Sequence, residues 1–211
     1  MTKRMLWIFA AIAVVAAVVL VFAFRAGNYG VQEFFFRGRY SQFDGLIDQA
    51  ATRHAVSPAL IKAVIWRESR FQPRMEGAHG ERGLMQVTEP AAADWAKAEK
   101  IETFVPNDLF DPRTNIEAGT WYLAKALKHW SAKDDPVPFA LAEFNAGRQR
   151  VKRWESAGTG ENPGAKELTD AMDFPGTRAY IAAILARYRA FLREEGMPGR
   201  FFLDRPGRER E

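Results

Sequence analysis

The sequence predicts a mainly α-helical fold, and three observations support that prediction. From Ser41 onward, apolar residues recur at the three- and four-residue spacing of amphipathic helices. Helix-start signals, in which serine or aspartate precedes proline, stand at Ser57, Asp111 and Asp135. No stretch shows the period-two alternation of a half-buried strand, and no internal repeat is evident. With 211 residues, the chain is long enough for one modest domain and its appendages.

The N-terminal segment differs from the rest of the chain. Lys3 and Arg4 precede an unbroken apolar run over residues 5–24, which matches the span of a bilayer core. A cleaved signal peptide usually has a shorter apolar region and a small-residue cleavage site, which this run lacks. We therefore favour an uncleaved membrane anchor within residues 1–25, with a cleaved signal sequence as the alternative. The remainder is exported in both cases, and residues 26–40 are predicted to be a linker.

Helical segments follow one another through residues 41–195, which we predict to be the folded domain. The predicted starts, in chain order, are Ser41, Ser57, Pro90, Asp111, Asp135 and Thr177. The second helix should run to about Arg70, the fifth should end near Gly147, and Gly196 is the expected C-cap of the last. Residues 156–170 are predicted to be a surface loop, and residues 196–211 a solvated tail.

Composition limits the possible ligands. The formal charge of +4 and the pI of about 9.4 fit an anionic surface such as a membrane, a nucleic acid or an acidic polymer. No cysteine is present, so disulfides and thiolate metal sites are excluded. No metal or other cofactor is expected. The basic stretch at residues 148–154 is interpreted as a solvated face, or as a contact to an anionic cell-wall polymer or lipid, rather than to nucleic acid.

Glu68 stands out because it lies on the apolar side of its predicted helix. At about 100° per residue, it falls in the middle of the stripe formed by Ile61, Val64 and Ile65. Burial without a paired cation favours the neutral form of a carboxyl group. A glutamic acid whose pKa is raised to about 6 can act as a general acid. The alternative is a glutamate that turns to solvent or pairs with Arg67, Arg70 or Arg74.

Two later segments could accompany this acid. A loop with glycines at positions 77, 80 and 83 leads into Met85 and Gln86, and an amide mounted on a loop suits a sugar ligand. The alternative is a glycine-rich turn that enters the next helix. The segment ALAEFNAG at residues 140–147 could present Phe144 and Asn145 to a cleft, or could be an ordinary helix C-cap.

Five motifs in order resemble those of one enzyme family. They are Glu68-Ser69-Arg70-Phe71-Gln72-Pro73, Gly80-Glu81-Arg82-Gly83-Leu84-Met85-Gln86, Asn115-Ile116-Glu117-Ala118-Gly119-Thr120-Trp121-Tyr122-Leu123, Phe144-Asn145-Ala146-Gly147 and Thr177-Arg178-Ala179-Tyr180-Ile181. Together they are similar to the soluble-type lytic transglycosylases, known as SLT domains. That family has a goose-type-lysozyme-like fold and belongs to glycoside hydrolase family 23. The resemblance covers about residues 41–195.

The resemblance implies a fold, a reaction and a set of site residues. It implies a lysozyme-like helical domain that cleaves the β-1,4 bond between N-acetylmuramic acid and N-acetylglucosamine in peptidoglycan. Glu68 would be the acid and then the base, leaving a 1,6-anhydro sugar without using water. Substrate would be bound by Met85, Gln86, Phe144, Asn145 and Tyr180. The location implied is the bacterial cell envelope, with the enzyme anchored in the inner membrane and its catalytic domain in the periplasm, or released there after signal cleavage.

The chain departs from the family pattern at three polar positions. Gly77 stands where the family often has a serine, Phe144 replaces a tyrosine, and Gly176 replaces a glutamate. A phenolic hydroxyl near the acid is therefore expected to be missing. Glu143 is one possible substitute, and its alternative reading is a solvated helix residue.

Two other functions stay open. The first is lysozyme-like hydrolysis of the same bond, which would need a positioned water and a second carboxylate from Glu81, Glu143 or Asp94. The second is a catalytically weak module that only binds peptidoglycan glycan strands.

Overall fold

The computed structural model describes residues 37–158 and 162–194, together with Met5, Phe9 and Val14. Residues 1–42 and residues 43–211 form two separate units. In the first unit, the described residues include a short 3₁₀ helix at Arg37–Arg39. Among all described residues, none of the helices combines the length and the hydropathy that a membrane crossing requires. Apart from Met5, Phe9 and Val14, the predicted anchor falls outside the described residues, as do most of the linker and the C-terminal tail.

The second unit is helical, as the sequence predicts. Its α-helices are α1 at Asp44–His54, α2 at Pro58–Ser69, α3 at Glu89–Ala98, α4 at Pro112–His129, α5 at Val137–Ala146, α6 at Arg148–Ala157, α7 at Ala165–Ala171 and α8 at Pro175–Glu194. A 3₁₀ helix at Pro106–Phe110 precedes α4. Between α2 and α3, two isolated antiparallel bridges, Glu76 with Arg82 and Arg82 with Val87, shape the loop.

The predicted start signals work by different means. The Asp111 side chain caps α4 by accepting a hydrogen bond from the backbone of Thr114 at 2.9 Å. Thr88, which was not predicted as a cap, does the same for α3. Ser57 occupies the N-cap position of α2 but makes no side-chain capping bond, so Pro58 supplies the start signal. At the other end of α5, Gly147 has a φ of 84°, a conformation that favours glycine.

Two helices differ from the prediction. The loop predicted at residues 156–170 contains α7, which begins after Gly164 and buries only Leu168. Helix α6 was not predicted, because only Val151 and Trp154 are buried in its ten residues and the remainder, apart from Ala157, is polar. Its four basic side chains at positions 148, 150, 152 and 153 are exposed, which agrees with the solvated face predicted there.

The most buried helices lie at the centre and position the candidate site. Helix α5 buries every residue from Val137 to Glu143, and α2 buries most of residues 59–66. A helix that is apolar nearly all round must be surrounded by others. Accordingly, α8 packs on both α2 and α5, while α4 packs on α1, α3 and α5. The C-terminal end of α2, which carries Glu68, is therefore held against α8.

Candidate active site

Glu68 lies in the last turn of α2 and meets a tyrosine from the other end of the domain. The hydroxyl of Tyr180, on α8, donates a hydrogen bond to Glu68 Oε1 at 2.5 Å. Tyr180 is only 2% exposed, whereas Glu68 is partly exposed. The carboxyl group is thus anchored from within the core and still accessible to a ligand.

Burial makes Glu68 a weak acid. Desolvation raises its pKa to about 7, against the opposing effects of the Tyr180 hydrogen bond and the Arg67 charge, while the Glu81 charge raises it further. The Arg67 guanidinium stands 5.4 Å from the centre of the Tyr180 ring. None of the ion pairs in the described part of the chain includes Glu68. The direction of this shift agrees with the raised pKa that the sequence predicts.

Unusual backbone conformations follow this acid in the chain. Arg70 and Phe71, directly after α2, have φ values of 54° and 58°, and Gln86 has a φ of 48°. Non-glycine residues in this region cost about 1–3 kcal/mol each and tend to cluster at functional sites. The buried ring of Phe71 and the hydrogen bond from Ser69 Oγ to the Leu84 carbonyl, at 2.7 Å, hold the chain in this path.

A buried asparagine organises the loop between α2 and α3. Asn115 Oδ1 accepts from the backbone of Met85 at 2.7 Å, and Asn115 Nδ2 donates to the carbonyls of Arg82 and Leu109 at 2.7 and 2.8 Å. A Cβ at Gly83 would lie 2.3 Å from Asn115 Nδ2, so a side chain at position 83 would displace this amide. The motifs that contain Gly83 and Asn115 are therefore two halves of one packing unit.

Met85 is fully buried within the packing unit formed by the Gly83 and Asn115 motifs. A Cβ at Gly119 would lie 2.5 Å from its sulfur, and the Thr120 hydroxyl lies 3.9 Å from the same atom. The absence of a side chain at Gly119 thus makes room for Met85. The side chain supports the loop from behind, and a direct contact with substrate stays a prediction.

Gln86, in contrast, is only partly buried. Its Nε2 donates to the carbonyls of Met75 and Gly83 at 3.1 and 2.9 Å. Both amide hydrogens are therefore used within the loop. The atom of Gln86 that stays available to a ligand is its acceptor, Oε1.

Asn145 and Phe144 end α5 beside α8. The Thr177 hydroxyl donates to Asn145 Oδ1 at 2.8 Å, which leaves the exposed amide hydrogens of Asn145 for a ligand. Thr177 lies three residues before Tyr180, so both project from about the same face of α8. The half-buried ring of Phe144 contacts Tyr122, with centroids 6.0 Å apart. Thr177 was not predicted as a site residue, although its place in the last motif was a usable signal.

The structure corrects two expectations drawn from the positions at which the chain departs from the family pattern. A phenolic hydroxyl is not missing at the acid, since Tyr180 supplies one. Glu143 is not a solvated residue, being 3% exposed, and its two oxygens accept from His129 and Trp130. Those bonds also engage it away from Glu68, so it does not suit the substitute role. At Gly176, nothing lies within 4 Å of a Cβ position, so the missing side chain leaves open space.

The described residues contain no cluster of side chains suited to bind a metal ion. Across residues 37–158 and 162–194, no three histidine, aspartate or glutamate side chains come together as a metal-binding group. The polar groups that converge are the carboxyl of Glu68, the phenol of Tyr180 and the amides of the adjoining loop and helix end. They suit proton transfer to a neutral, hydroxyl-rich ligand.

The fold and this site define a lysozyme-like helical domain with a partly buried glutamic acid, Glu68, at its candidate active site. Residues 45–165 match the Transglycosylase SLT domain family, and the chain belongs to that family. The matched range contains Glu68, Gln86 and Asn145 but ends before α8, which carries Tyr180.

Curated relatives agree with this membership. The chain is 38% identical over 117 residues to a membrane-bound lytic murein transglycosylase F from Desulfosudis oleivorans, covering 54% of this chain and 24% of the relative. It is 31% identical over 139 residues to a soluble lytic murein transglycosylase from Salmonella typhimurium, covering 65% of this chain and 21% of the relative. The chain thus spans about a quarter of the length of these relatives.

Solved structures show the same fold. The 70 kDa soluble lytic transglycosylase of Escherichia coli superimposes with a TM-score of 0.66 at 26% identity, over 76% of this chain and 26% of that chain. The lytic transglycosylase Slt of Pseudomonas aeruginosa gives a TM-score of 0.68 at 20% identity, over 76% and 25% of the two chains. The predicted lysozyme-like helical fold is confirmed.

Proposed function

We propose that this protein is a peptidoglycan lytic transglycosylase with Glu68 as its only catalytic carboxyl group. The observation that carries the proposal is the half-buried carboxyl of Glu68, whose pKa is raised to about 7 and which accepts a hydrogen bond from Tyr180. Family membership and the names of the relatives support the reaction and the substrate.

The reaction needs one proton donor that becomes a base. Protonated Glu68 gives its proton to the oxygen of the β-1,4 bond, the bond from that oxygen to C1 of N-acetylmuramic acid breaks, and N-acetylglucosamine leaves with a free 4-hydroxyl. The Glu68 carboxylate then takes the proton of the muramic acid 6-hydroxyl. That oxygen bonds to C1 and closes the 1,6-anhydro ring. Atoms and protons balance, and Glu68 ends protonated.

Tyr180 stabilises the intermediate state of this cycle. Its hydroxyl donates to Glu68 in the resting enzyme and gives a stronger, charge-assisted bond once Glu68 is a carboxylate. Burial is the main cause that raises the pKa of Tyr180 well above its usual value, and the Glu68 charge adds to it. The phenol therefore keeps its proton throughout the cycle. Tyr180 thus positions the acid and lowers the cost of its ionised form.

The glycan would lie across the loop and the end of α5. The acceptor Oε1 of Gln86 and the amide hydrogens of Asn145 offer complementary partners to the hydroxyl and acetamido groups of the sugars. Phe144 offers an aromatic edge beside them, and Met85 backs the loop. No cofactor takes part in this scheme.

We also propose that the protein works in the bacterial cell envelope, held at the inner membrane by residues 5–24 with its catalytic domain in the periplasm. The apolar run after Lys3 and Arg4 and the membrane-bound relatives support this. Cell fractionation of the wild-type chain tests it. Recovery in the soluble periplasmic fraction, with a shortened N-terminus, would instead indicate a cleaved signal.

Digestion of purified sacculi tests the reaction. We expect the full chain to release fragments with 1,6-anhydro ends, identified by mass spectrometry, and expect Glu68→Gln to release almost none. Fragments with reducing ends would indicate a hydrolase. Binding to sacculi with equal, low release by both proteins would indicate a binding module. Because the acid must be protonated, kcat/KM should fall as the pH rises through about 7.

A further inference from the structure

The space above Gly77 is filled by a carboxylate. A Cβ built on Gly77 would lie 2.3 Å from Glu81 Oε2 and 2.8 Å from Gln86 Oε1. The φ of Gly77 is not positive, so its backbone does not itself require glycine. The Glu81 carboxylate therefore occupies the place that a side chain at position 77 would take, and it would have to move to admit one.

Backbone contacts hold Glu81 in this position as an ion. The backbone N–H of His79 donates to Glu81 Oε2 at 3.0 Å, and the backbone N–H of Gly77 donates to the Glu81 carbonyl at 2.7 Å. Partial burial raises the pKa of Glu81, but the backbone hydrogen bonds and the nearby His79 ring outweigh it, and the net shift is downward. Its side chain is 27% exposed, so the ionised carboxylate can reach a ligand.

This carboxylate belongs to the candidate active site. Its negative charge is felt at Glu68, where it raises the pKa alongside desolvation. Glu81 Oε2 and Gln86 Oε1 both face the space above Gly77, and Gln86 has already used its hydrogens on loop carbonyls. Glu81 Oε2 accepts one hydrogen bond from the His79 N–H and, as a carboxylate oxygen, can accept another, so these two acceptors fit a ligand that brings O–H or N–H groups. The hydroxyl and acetamido groups of an N-acetyl sugar do so.

We propose that Glu81 is a substrate-binding residue whose carboxylate takes the place of the serine hydroxyl that the family often has at position 77. It accepts a hydrogen bond from an O–H or N–H of the glycan bound beside Glu68. The inference rests on the proposed glycan cleavage and adds to it a residue that sets substrate affinity. Gly77 and Glu81 are, on this reading, a compensating pair.

A double-mutant cycle tests the pairing in the full chain. Glu81→Ala removes the acceptor and should raise KM on sacculi about 10-fold, the effect of losing one hydrogen bond to a charged group. Gly77→Ser alone should also impair activity, since the serine Cβ would displace the Glu81 carboxylate from its position. The double variant Gly77→Ser/Glu81→Ala should recover to within about three-fold of wild type. A double variant no better than the weaker single variant would overturn the pairing.

Glu81→Gln keeps the shape of the side chain and tests the charge without risk to folding. We expect a raised KM and an alkaline limb of kcat/KM that moves to lower pH, because one charge that raises the Glu68 pKa is gone. Arg67 and Tyr180, the other groups acting on Glu68, are unchanged. Glu76→Gln is the matched control, since it removes an exposed charge from the same loop and should alter neither quantity. If Glu81→Gln had the KM of the wild type and the same alkaline limb of kcat/KM, the inference would be wrong.

The outcomes separate this inference from the proposed function. If Glu68→Gln is inactive while both Glu81 variants behave as wild type, only the role of Glu81 fails. If Glu68→Gln stays active, the proposed reaction fails. If wild type releases reducing ends that disappear in Glu81→Gln, Glu81 activates water and the substrate-binding assignment is wrong.

Discussion

Glu68 and Glu143 look alike in the sequence and differ completely in the fold. Each lies near the end of an apolar helix, on α2 and α5 respectively. Glu143 is 3% exposed, and its oxygens accept from His129 Nδ1 at 2.8 Å and from Trp130 Nε1 at 2.7 Å. Glu68 is half-buried, and among the described residues its side chain accepts a hydrogen bond from Tyr180.

The difference teaches that hydrogen-bond partners, as well as burial, decide what a buried glutamate does. Arg148 Nη1 lies 3.2 Å from His129 Nε2 and, as part of a guanidinium, can act only as a donor. Nε2 must therefore be the acceptor of the neutral ring, and the ring hydrogen lies on Nδ1 and points at Glu143. That carboxylate is therefore satisfied at both oxygens and ties α4 to α5. Glu68 accepts a hydrogen bond from a neutral phenol and is desolvated, so its raised pKa keeps the proton on the acid near neutral pH, where a substrate oxygen can receive it.

The largest expected contrast is in catalysis. Glu68→Gln should lower kcat/KM by about 10²–10⁴-fold, the usual contribution of a general acid, while leaving the Tyr180 hydrogen bond possible. Glu143→Gln should change kcat/KM, per folded molecule, by less than about three-fold. Initial rates of fragment release from sacculi, normalised to the folded fraction, measure both. Equal losses of kcat/KM in the two variants would show that Glu143 is needed for catalysis as much as Glu68.

The second contrast is in stability, with the roles reversed. Glu143→Leu leaves the buried N–H of Trp130 and that of His129 without acceptors, which should lower the free energy of unfolding by about 2–4 kcal/mol. Glu143→Gln is the control, because its amide oxygen still accepts from one donor and the loss should be smaller. Urea unfolding gives both values. A Glu143→Leu variant as stable as wild type would show that this cluster is not structural.

The sequence was sufficient for the helices that begin at strong signals. Pro58, Pro112 and the proline before α5 fix the starts of three helices, and the glycine after α5 fixes its end, because each acts through local backbone geometry. Helices α6 and α7 could not be predicted in the same way. They bury one or two side chains each, and they are helical because the neighbouring helices support them.

The candidate site divides along the same line. Helical periodicity alone placed Glu68 on a buried face and gave the direction of its pKa shift. The Tyr180 hydrogen bond joins residues 112 positions apart, and no local pattern encodes such a distance. Likewise, the position of Glu81 above Gly77 depends on how the loop turns back on itself. The sequence showed that a serine was absent at position 77, but not what had replaced it.

The unusual pKa of Glu68 should also be visible without substrate. Its pKa rises from 4.5 to about 7 on folding, so the folded state binds more protons than the unfolded state between these values. The group therefore costs stability that grows as the pH rises from about 4.5 to about 7 and then levels off. At pH 8, Glu68→Gln should be more stable than wild type by about 1–3 kcal/mol, a free energy reduced to allow for the partial exposure of the side chain. At pH 4 the two proteins should be nearly equal in stability. Urea unfolding at both pH values checks this, and a pH-independent difference would contradict it.

The smallest expected effect tests how the structural end of α5 influences the site. Asn145 follows Glu143 by two residues and is oriented by the Thr177 hydroxyl, one turn before Tyr180 on α8. Thr177→Val keeps the shape of the side chain and removes this one hydrogen bond, worth about 1 kcal/mol, so we expect KM to rise about three- to five-fold with kcat unchanged. Thr177→Ser, which restores the hydroxyl, should restore KM. If kcat fell instead, Thr177 would be acting on Glu68 through Tyr180, and the two glutamates would not be as independent as their separate partners imply.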